Sequence, residues 1–342
     1  MRKVPADHTF RTVLLGFGNI AAGYAQDARM KRWIPYATHA QVLKDHPAFS
    51  WVAVVDPSPT AREVASSTWG IEEVVSAVEE LADPASFEIA VLATPPDIRI
   101  ELLDRLPGLK AVIVEKPLAT DVDSARKFLE ACIKRNIQIQ VNLPRRGDTV
   151  MRDWVESLSE RLGKPQAIFA SYGNGLVNNG SHLIDWIRMF LGEVKWVQAI
   201  PEDQNIVEGP IPGDISFPFV LGLVSGTCVM VQPLGYSNYR EMGLDIWGER
   251  GRLSFWHEGL TVAYAPRADH RFLESHYEIT SDHSEFCITG QGHAIYNLYD
   301  NLTDTLSSNS PLWSPGSEAL KVMVVLESIK RSHASNGSRE EV

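Results

Sequence analysis

The chain has 342 residues, which is longer than a single hydrophobic core usually becomes, so its length predicts two domains. It carries 32 basic and 43 acidic side chains, a formal net charge of −11 at pH 7. This acidic balance argues against a nucleic-acid interface and favours a protein that handles small molecules. No apolar run is long enough to span a bilayer, and residues 1–10 lack the apolar segment of a signal peptide.

The three cysteines, Cys132, Cys228 and Cys287, are far apart and lack the paired spacing of a zinc or redox motif. Such thiols are typical of a reducing compartment, so we expect a cytoplasmic protein with buried, inert cysteines. No cluster of His, Cys or carboxylate residues has metal-ligand spacing, and the sequence therefore predicts no metal site.

The first predicted strand, residues 11–15, runs directly into Gly16-Phe17-Gly18, with a third small residue at Ala21. Gly16 allows a tight turn, Gly18 lets the backbone approach a pyrophosphate, and Ala21 lets the next helix pack closely on the strand. The N–H groups at that helix N-terminus would face the phosphates. The pattern predicts a dinucleotide-binding turn whose cofactor-binding residues are Gly16, Phe17, Gly18, Asn19 and Ile20.

A second apolar run, residues 51–55, ends in Asp56. A carboxylate there can accept hydrogen bonds from the adenosine ribose and would repel a 2′-phosphate, which favours NAD(H) over NADP(H). The following Ser58 leaves NADP(H) open. Asp56 lies 38 residues beyond Gly18, whereas about 20 is usual, so the sequence predicts an insert near residues 24–36. This insert is either a solvated loop or a lid over the cofactor.

Further apolar runs end before Pro95-Pro96, before Glu115-Lys116-Pro117 and at Asn142, with helical stretches between them, including one around residues 75–82. Alternating strands and helices of these lengths predict a doubly wound parallel sheet over residues 1–142. Its ligands should lie beyond the carboxyl ends of the strands, where Thr94, Pro95, Pro96, Glu115 and Lys116 fall. Residues 143–342 predict an α+β second domain, with a helix at 181–191 followed by several strands.

Two residues are candidates for proton chemistry. Lys116 lies at a strand end, where it can donate to a substrate oxygen, although a surface lysine paired with Glu115 is the simpler interpretation of the tripeptide alone. His182 follows a Gly- and Asn-rich loop and opens a helix, whose N-terminus disfavours the imidazolium and leaves the ring available as a base. The alternative is a packed histidine, and for Asp185, one turn further on, we favour a structural role.

These motifs together resemble the Gfo/Idh/MocA family of oxidoreductases. The resemblance extends over nearly the whole chain and is carried by segments in family order, which are residues 16–21, 54–56, 93–96, 115–117, 142–146, 180–185 and 316–320. It implies a Rossmann domain followed by an α+β domain with a large, mostly antiparallel open sheet. It also implies hydride transfer between a nicotinamide and a hydroxyl-bearing carbon, most often of a sugar. The open sheet would form a homodimer or homotetramer.

Carried over by position, the resemblance implies that Lys116 binds the reacting oxygen and His182 is the general base. Many members have an aspartate four residues before the histidine, where this chain has Asn178, which can hold a hydroxyl but cannot relay a proton. Members that act on nucleotide-linked sugars look similar here, which favours a sugar nucleotide as substrate. Arg145 and His293 are further substrate-binding candidates. Arg145 and Arg146 can alternatively pair with acidic neighbours where the domains join.

Two other functions remain open. A relative of this fold can be a non-catalytic, NAD-binding regulatory protein, although the presence of both Lys116 and His182 speaks against it. The chain can also be an enzyme that keeps its nucleotide bound and recycles it between two steps. We expect a small-molecule sugar substrate, with no nucleic-acid or membrane partner.

Overall fold

A computed structural model of the chain describes residues 8–200, 206–280, 282 and 284–342. The prediction that residues 1–10 are not a signal peptide therefore falls mostly on residues 1–7, which lie outside the described residues. The chain divides into a first unit, residues 1–147 with 291–320, and a second unit, residues 148–290 with 321–342. The sequence predicted a contiguous boundary at residue 142, and the units differ from it because residues 291–320 return to the first. There Tyr299 and Leu302 pack in the same core as Phe10 and Leu14.

The secondary structure follows the chain order below. The strands are β1 (Phe10–Leu15), β2 (Phe49–Val55), β3 (Glu73–Val75), β4 (Ile89–Leu92), β5 (Ala111–Val114), β6 (Gln138–Val141), β7 (Pro165–Tyr172), β8 (Val194–Ala199), β9 (Val207–Glu208), β10 (Ile215–Ser216), β11 (Phe219–Leu223), β12 (Cys228–Pro233), β13 (Gly243–Gly248), β14 (Gly251–Trp256), β15 (Thr261–Asp269), β16 (Tyr277–Ile279), β17 (Glu285–Ile288) and β18 (Glu340–Glu341). The helices are α1 (Ala28–Trp33), α2 (His39–Asp45), α3 (Pro59–Trp69), α4 (Arg99–Arg105), α5 (Val122–Lys134), α6 (Thr149–Leu162), α7 (Ser181–Leu191), α8 (Ala294–Ser308) and α9 (Gly316–Ala334).

The first unit is built on a six-stranded sheet in the order β3-β2-β1-β4-β5-β6, and all its strand pairs are parallel. This order is that of dinucleotide-binding folds, so the predicted doubly wound sheet is confirmed. Strands β4 and β5 are buried along their whole length, as parallel strands between two helical layers must be. One local prediction was wrong. The stretch around residues 75–82 is not a helix, because β3 pairs with β2 and only a short 3₁₀ turn follows.

The surplus residues between Gly18 and Asp56 form an insert within one helix. Gly18 to Ala22 make a helical turn, in which the N–H of Ala22 donates to the carbonyl of Gly18 at 3.0 Å. The N–H of Ala40 then donates to the carbonyl of Ala21 at 2.8 Å, so α2 continues the interrupted helix. The predicted insert at residues 24–36 is therefore confirmed. The insert begins after the first helical turn that follows Gly18, and the helix resumes with α2.

The second unit is built on a ten-stranded sheet in the order β16-β15-β14-β13-β7-β12-β11-β8-β18, with β17 paired to β15. Among the described strands of this sheet, β7 and β12 are parallel and the other pairs are antiparallel, which confirms the large, mostly antiparallel sheet. Helices α6, α7 and part of α9 pack against one face and close a core that contains Trp154, Trp186 and Val325.

The prediction that all three cysteines are buried is correct for only one of them. Cys132 is buried in α5 as expected, and burial raises the pKa of its thiol to about 12. Cys228 is exposed because it alternates with the buried positions of β12, and Cys287 is exposed on β17, where it lines a cavity beside α6 together with Trp154 and Arg161. Within the described part of the chain, none of the helices is long and apolar enough to cross a membrane.

Candidate functional site

The predicted dinucleotide-binding turn lies at the carboxyl end of β1. Gly16 has a φ of +84°, and a Cβ atom there would lie 2.6 Å from the carbonyl oxygen of Ala93. Gly18 has no atom within 4 Å of the position that its Cβ would occupy. The first glycine is therefore required by the fold itself. The second leaves open space at the exposed start of the helix, which a pyrophosphate can approach.

Asp56, at the carboxyl end of β2, is held by backbone donors on both of its oxygens. Its Oδ2 accepts a hydrogen bond from the N–H of Phe17 at 2.6 Å, and its Oδ1 accepts one from the N–H of Ser58 at 2.7 Å. The carboxylate is thereby fixed beside the glycine turn. Each oxygen keeps a further lone pair, with which it can accept from a ribose hydroxyl.

The neighbouring strand ends carry two polar atoms without a partner among the described residues. They are Oγ1 of Thr94, after β4, and Oδ1 of Asn142, after β6, and both atoms are buried. Buried polar atoms normally have hydrogen-bond partners, and those that lack one point to a bound group. Together with the open space at Gly18, they make this edge of the sheet suited to a dinucleotide. Asn142 was part of a motif in the sequence, but no role was predicted for it.

Glu115 and Lys116 form the turn after β5. The Glu115 carboxylate is buried and accepts from Nε2 of His39 at 2.9 Å and from Nδ2 of Asn142 at 2.6 Å. Burial acts to raise the pKa of Glu115, but these hydrogen bonds and the nearby charges of His39 and Lys116 outweigh it, and the pKa lies below its ordinary value. Lys116 is half-buried, and its peptide bond to Pro117 is cis.

Arg99, the first residue of α4, holds the other side of this turn and was not singled out from the sequence. Its guanidinium is almost fully buried and donates to the carbonyls of Pro117 at 2.6 Å, Leu118 at 3.1 Å and Thr94 at 2.8 Å. Burial lowers the pKa of Arg99 to about 10, against the opposing charges of Glu115 and Asp97. The side chain thus joins the turn after β5 to the end of β4. A single arginine on a short amphipathic helix gives no sequence signal for such a role.

In the second unit, His182 and Asn178 lie on one continuous helical segment. Residues 175–180 form a π-helix that leads directly into α7, so the predicted Gly- and Asn-rich loop was wrong. His182 therefore lies well inside a helical run, and the expectation that a helix N-terminus keeps its imidazole neutral loses its basis. Both side chains are half-buried.

The start of this segment is held by Asp214, a second residue that the sequence reasoning missed. Its Oδ1 accepts from the N–H of Val177 and its Oδ2 from the N–H of Asn178, each at 2.8 Å. These bonds satisfy N–H groups that a helix leaves unpaired at its start. Asp214 lies in a segment without periodicity, and nothing in the sequence near it indicates a helix cap.

The remaining candidates occupy separate places. Arg145 is buried in a 3₁₀ turn after β6, and the adjacent Arg146 pairs with Glu318 at 3.0 Å, as the alternative interpretation of this pair expected. His293 is exposed and packs edge-on against Tyr36, with ring centroids 5.4 Å apart. Pro95 and Pro96 follow Thr94 at the β4 end. Among the described residues, no group of three or more His, Cys, Asp or Glu side chains is placed to hold a metal ion.

The first unit thus brings the glycine turn, Asp56, Thr94 and the Glu115–Lys116 turn to the carboxyl edge of one sheet. The second unit places Asn178 and His182 on one helical segment. That Lys116 and His182 meet at one substrate stays a prediction.

Comparisons with known proteins agree with this arrangement. Residues 10–143 match the family model GFO_IDH_MocA, described as an oxidoreductase family with an NAD-binding Rossmann fold. Two curated relatives are inositol 2-dehydrogenases. The protein from Mycolicibacterium smegmatis is 38% identical over 116 residues, and that from Rhodococcus erythropolis is 32% identical over 189 residues. These matches cover 33% and 49% of this chain and only 33% and 54% of the relatives, so the chain aligns with between a third and about half of their length.

Solved structures of similar fold cover almost the whole chain. The WlbA dehydrogenase from Bordetella pertussis, in complex with NADH and UDP-GlcNAcA, has a TM-score of 0.72 at 18% identity and covers 98% of this chain and 99% of its own. A super-repressor mutant of Gal80p from Saccharomyces cerevisiae has a TM-score of 0.74 at 15% identity, and the match covers 97% of this chain and 98% of that one. At these identities the likeness establishes the fold. The match over residues 10–143, the sheet order and the glycine turn together show that this part of the chain is an NAD-binding Rossmann domain similar to that of the Gfo/Idh/MocA oxidoreductases.

Proposed function

We propose that the protein is an NAD-dependent dehydrogenase that oxidises a CH–OH group of a sugar, or reduces the corresponding carbonyl. The observation that carries the proposal is the Glu115–Lys116 turn at the carboxyl edge of the sheet. This turn is held from one side by His39 and Asn142 and from the other by Arg99. A half-buried lysine on a turn that is held from both sides, at the same sheet edge as a dinucleotide-binding turn, is suited to bind a reacting oxygen.

In the oxidation, the ammonium of Lys116 donates a hydrogen bond to the substrate oxygen and orients the hydroxyl-bearing carbon. The imidazole of His182 accepts the hydroxyl proton while the C–H bond breaks. A bound nicotinamide would supply the hydride acceptor, so that the alcohol loses a hydride to the cofactor and its hydroxyl proton to His182. In the reverse direction His182 returns the proton and Lys116 polarises the carbonyl. Asn178, four residues before His182, is placed to bind a second hydroxyl by hydrogen bonds.

NAD(H) is the cofactor that we favour over NADP(H). The carboxylate of Asp56 is held at the end of β2 and retains acceptor capacity for ribose hydroxyls. Ser58, which left NADP(H) open in the sequence, is the N-cap of α3, and its Oγ accepts from the N–H of Ala61. Arg62 donates to the carbonyls of Asp56 and Pro57, both at 2.8 Å, so its guanidinium is engaged beside this loop. Isothermal titration with NAD⁺ and NADP⁺ checks the preference, which equal affinities would contradict.

For the substrate, we propose a sugar or sugar derivative, with a nucleotide-linked sugar as the finer hypothesis. The inositol 2-dehydrogenase relatives and the WlbA complex support polyol and sugar-nucleotide chemistry in this family. Arg145 and His293 stay candidates for substrate contacts. Mass spectrometry of the small molecules that accompany the protein through gentle purification would identify nucleotide and ligand together.

The direct test of the proposal is Lys116→Met. This variant should keep its affinity for NAD⁺, because the side chain acts on the substrate oxygen, and should lose about 100- to 10,000-fold in turnover. The assay follows NADH absorbance with myo-inositol, other free sugars and UDP-linked sugars. Lys134→Met, on the exposed last turn of α5, is the matched control. Unchanged turnover of Lys116→Met on the compound that the wild-type protein oxidises would overturn the proposal.

Two alternatives are separated by the same experiments. The Gal80p structure gives the regulatory hypothesis its support, since a repressor shares this fold. Binding of NAD⁺ without turnover on any compound of the panel, together with capture of a macromolecular partner, would favour it. NADH that stays bound through native purification would instead favour an enzyme that recycles its nucleotide.

We also propose that the open face of the large sheet is the interface of a homodimer or homotetramer. Aligned outward positions of this face carry apolar side chains that are about half exposed, namely Phe169, Met230, Trp256, Phe286 and Ile288. Several exposed apolar side chains on one sheet face are typical of an interaction surface. Phe169→Asp should lower the molar mass measured by light scattering to that of a single chain. Val224→Asp, at an exposed turn outside the patch, should not.

A further inference from the structure

We infer that His39 and Tyr299 are positioning residues for the Glu115–Lys116 turn, and that they act through the buried carboxylate of Glu115. Both side chains are fully buried in the first unit. Nε2 of His39 donates to Glu115 Oε1 at 2.9 Å, and its Nδ1 lies 2.8 Å from the phenol oxygen of Tyr299. Neither residue was assigned a role from the sequence.

The chain of hydrogen bonds is complete in either protonation state of His39. A neutral ring donates through Nε2 and accepts the phenol proton at Nδ1, whereas an imidazolium donates through both nitrogens. Burial and the charge of Glu115 raise the pKa of Tyr299 well above its ordinary value, so the phenol keeps its proton. The Glu115 carboxylate is therefore supplied with a donor whose own orientation is fixed by a second buried group, as in other buried polar networks.

These hydrogen bonds between Tyr299, His39 and Glu115 join three segments that are far apart in sequence. His39 is the first residue of α2, where the interrupted helix resumes after the insert. Glu115 follows β5, and Tyr299 lies on α8, the helix that returns to the first unit. The N–H of His39 also donates to the carbonyl of Ile20, which belongs to the dinucleotide-binding turn. The direction of Lys116 is thus tied to the turn that is proposed to hold the cofactor.

A second support holds the same turn from the opposite side. Arg99 binds the carbonyls of Pro117 and Leu118, while His39 and Asn142 bind the carboxylate of Glu115. Lys116 lies between these two supports. Removing the His39 support should leave the turn in place but free it to move. The inference that this motion matters for turnover rests on the proposed role of Lys116.

His46 is a natural control for His39. It caps the same helix, lies 3.0 Å from an oxygen of Asp300 on α8, and is nearly as buried. Its carboxylate partner is exposed, since the side chain of Asp300 retains about half of its accessible surface. Comparing His46 and His39 variants therefore separates the general effect of losing a buried histidine–carboxylate contact from the specific effect of losing the contact to Glu115.

The test measures hydrogen–deuterium exchange at the amides of Glu115, Lys116 and Leu118, on the full chain without substrate. His39→Phe should raise their exchange rates by about tenfold or more, and Tyr299→Phe by less. His39→Gln, which keeps a donor for Glu115, should restore most of the protection. His46→Phe should leave these three amides unchanged. Where the wild-type protein turns over a substrate, His39→Phe should lower kcat with little change in KM for NAD⁺, and His39→Gln should recover it.

Unchanged exchange at the turn in folded His39→Phe, or an equal increase in His46→Phe, would overturn the inference. If His39→Phe does not fold, Tyr299→Phe decides, because it removes a single oxygen atom. An equal exchange rate in Tyr299→Phe and wild type would then contradict it. The exchange measurement needs no turnover, so failure of the dehydrogenase proposal, read from Lys116→Met, is distinguishable from failure of the positioning role.

Discussion

The two segments that we propose for proton chemistry are held in different ways within their own units. The Glu115–Lys116 turn is supported by several side chains from other segments, among them His39, Asn142 and Arg99. The helical segment that carries His182 begins on the carboxylate of Asp214, which binds two of its first N–H groups. The N–H of Gly175, at the start of the same segment, donates to Oγ of Ser216 at 3.1 Å. The difference indicates that the lysine turn should tolerate loss of one support, whereas the histidine segment should be more sensitive to loss of the one carboxylate that binds two of its N–H groups.

The largest effect should come from Asp214→Ala. Two N–H groups would lose a charged acceptor, at a cost of about 2–4 kcal/mol in the free energy of unfolding. Asp214→Asn, which keeps one acceptor oxygen, should cost about half as much. Thermal unfolding followed by circular dichroism measures the difference. Equal stability of Asp214→Ala and the wild-type protein would contradict the proposed dependence of the His182 segment on this carboxylate.

Two glycine variants should separate the requirements of folding from those of cofactor binding within the first unit. Gly16→Ala combines a positive φ with a Cβ only 2.6 Å from a backbone oxygen, and should destabilise the protein by about 2–3 kcal/mol even without cofactor. Gly18→Ala meets no protein atom within 4 Å and should change stability little. It should nevertheless weaken NAD⁺ binding, because the added methyl group occupies the space left for the pyrophosphate. Calorimetry with and without NAD⁺ separates the two effects, and a Gly18→Ala protein that binds NAD⁺ normally would contradict this use of the turn.

Loss of one support at the lysine turn should have a smaller effect. Asn142→Ala removes one donor to Glu115 while His39 remains, and we expect a loss of about 1–2 kcal/mol in the free energy of unfolding. The double variant with His39→Phe should lose more than the sum of the two single losses, because the buried carboxylate then has lost both donors. Additive losses would show that the two donors do not share one carboxylate.

The pH dependence of stability tests the same carboxylate. The pKa of Glu115 is lowered from its ordinary value of 4.5, so the stability that it contributes is fully present above that pH. It is lost as the pH falls through the folded-state pKa. The Tm advantage of the wild-type protein over Glu115→Gln should therefore shrink below about pH 4.5. An advantage that stays constant to pH 3 would contradict the lowered pKa.

The exposed Cys228 gives the smallest effect and reports on the open face of the sheet. Cys228 should react quickly with a thiol reagent in a monomer, Cys287 should react more slowly because burial raises the pKa of its thiol, and Cys132 should react only on unfolding. In the proposed oligomer, Cys228 should become slower, because it lies two residues from Met230 on the same outward side of β12. Equal rates for Cys228 in the wild-type protein and in Phe169→Asp would argue against an interface there.

The sequence predicted the first unit well because its signals are local. Buried parallel strands are continuous apolar runs, and Gly16, Asp56 and Glu115 follow them directly. The insert was found by spacing alone. The features that the sequence did not predict depend on contacts between segments that are distant in the chain. His39 and Tyr299, 260 residues apart, meet only through folding, and residues 291–320 return to the first unit without any signal at the point of return.

The second unit was harder to predict for a related reason. Residues 175–180 contain two glycines and two asparagines, which favour a loop by propensity, yet they form a π-helix. The carboxylate of Asp214 supplies acceptors that overcome this local preference, and no nearby pattern indicates it. Similarly, β3 is only three residues long and is specified by its pairing with β2 rather than by its own sequence. Where tertiary contacts decide the local structure, periodicity alone gives the wrong element.

We propose that the ammonium of Lys116 and the imidazole of His182 act on one substrate hydroxyl. A crystal structure of the protein with NAD⁺ and the substrate identified by the turnover panel tests it most directly. We expect the Lys116 ammonium and one imidazole nitrogen of His182 to lie within hydrogen-bond distance, about 2.6–3.2 Å, of the same substrate oxygen. A substrate oxygen bound by Lys116 with His182 beyond the reach of that molecule would contradict it.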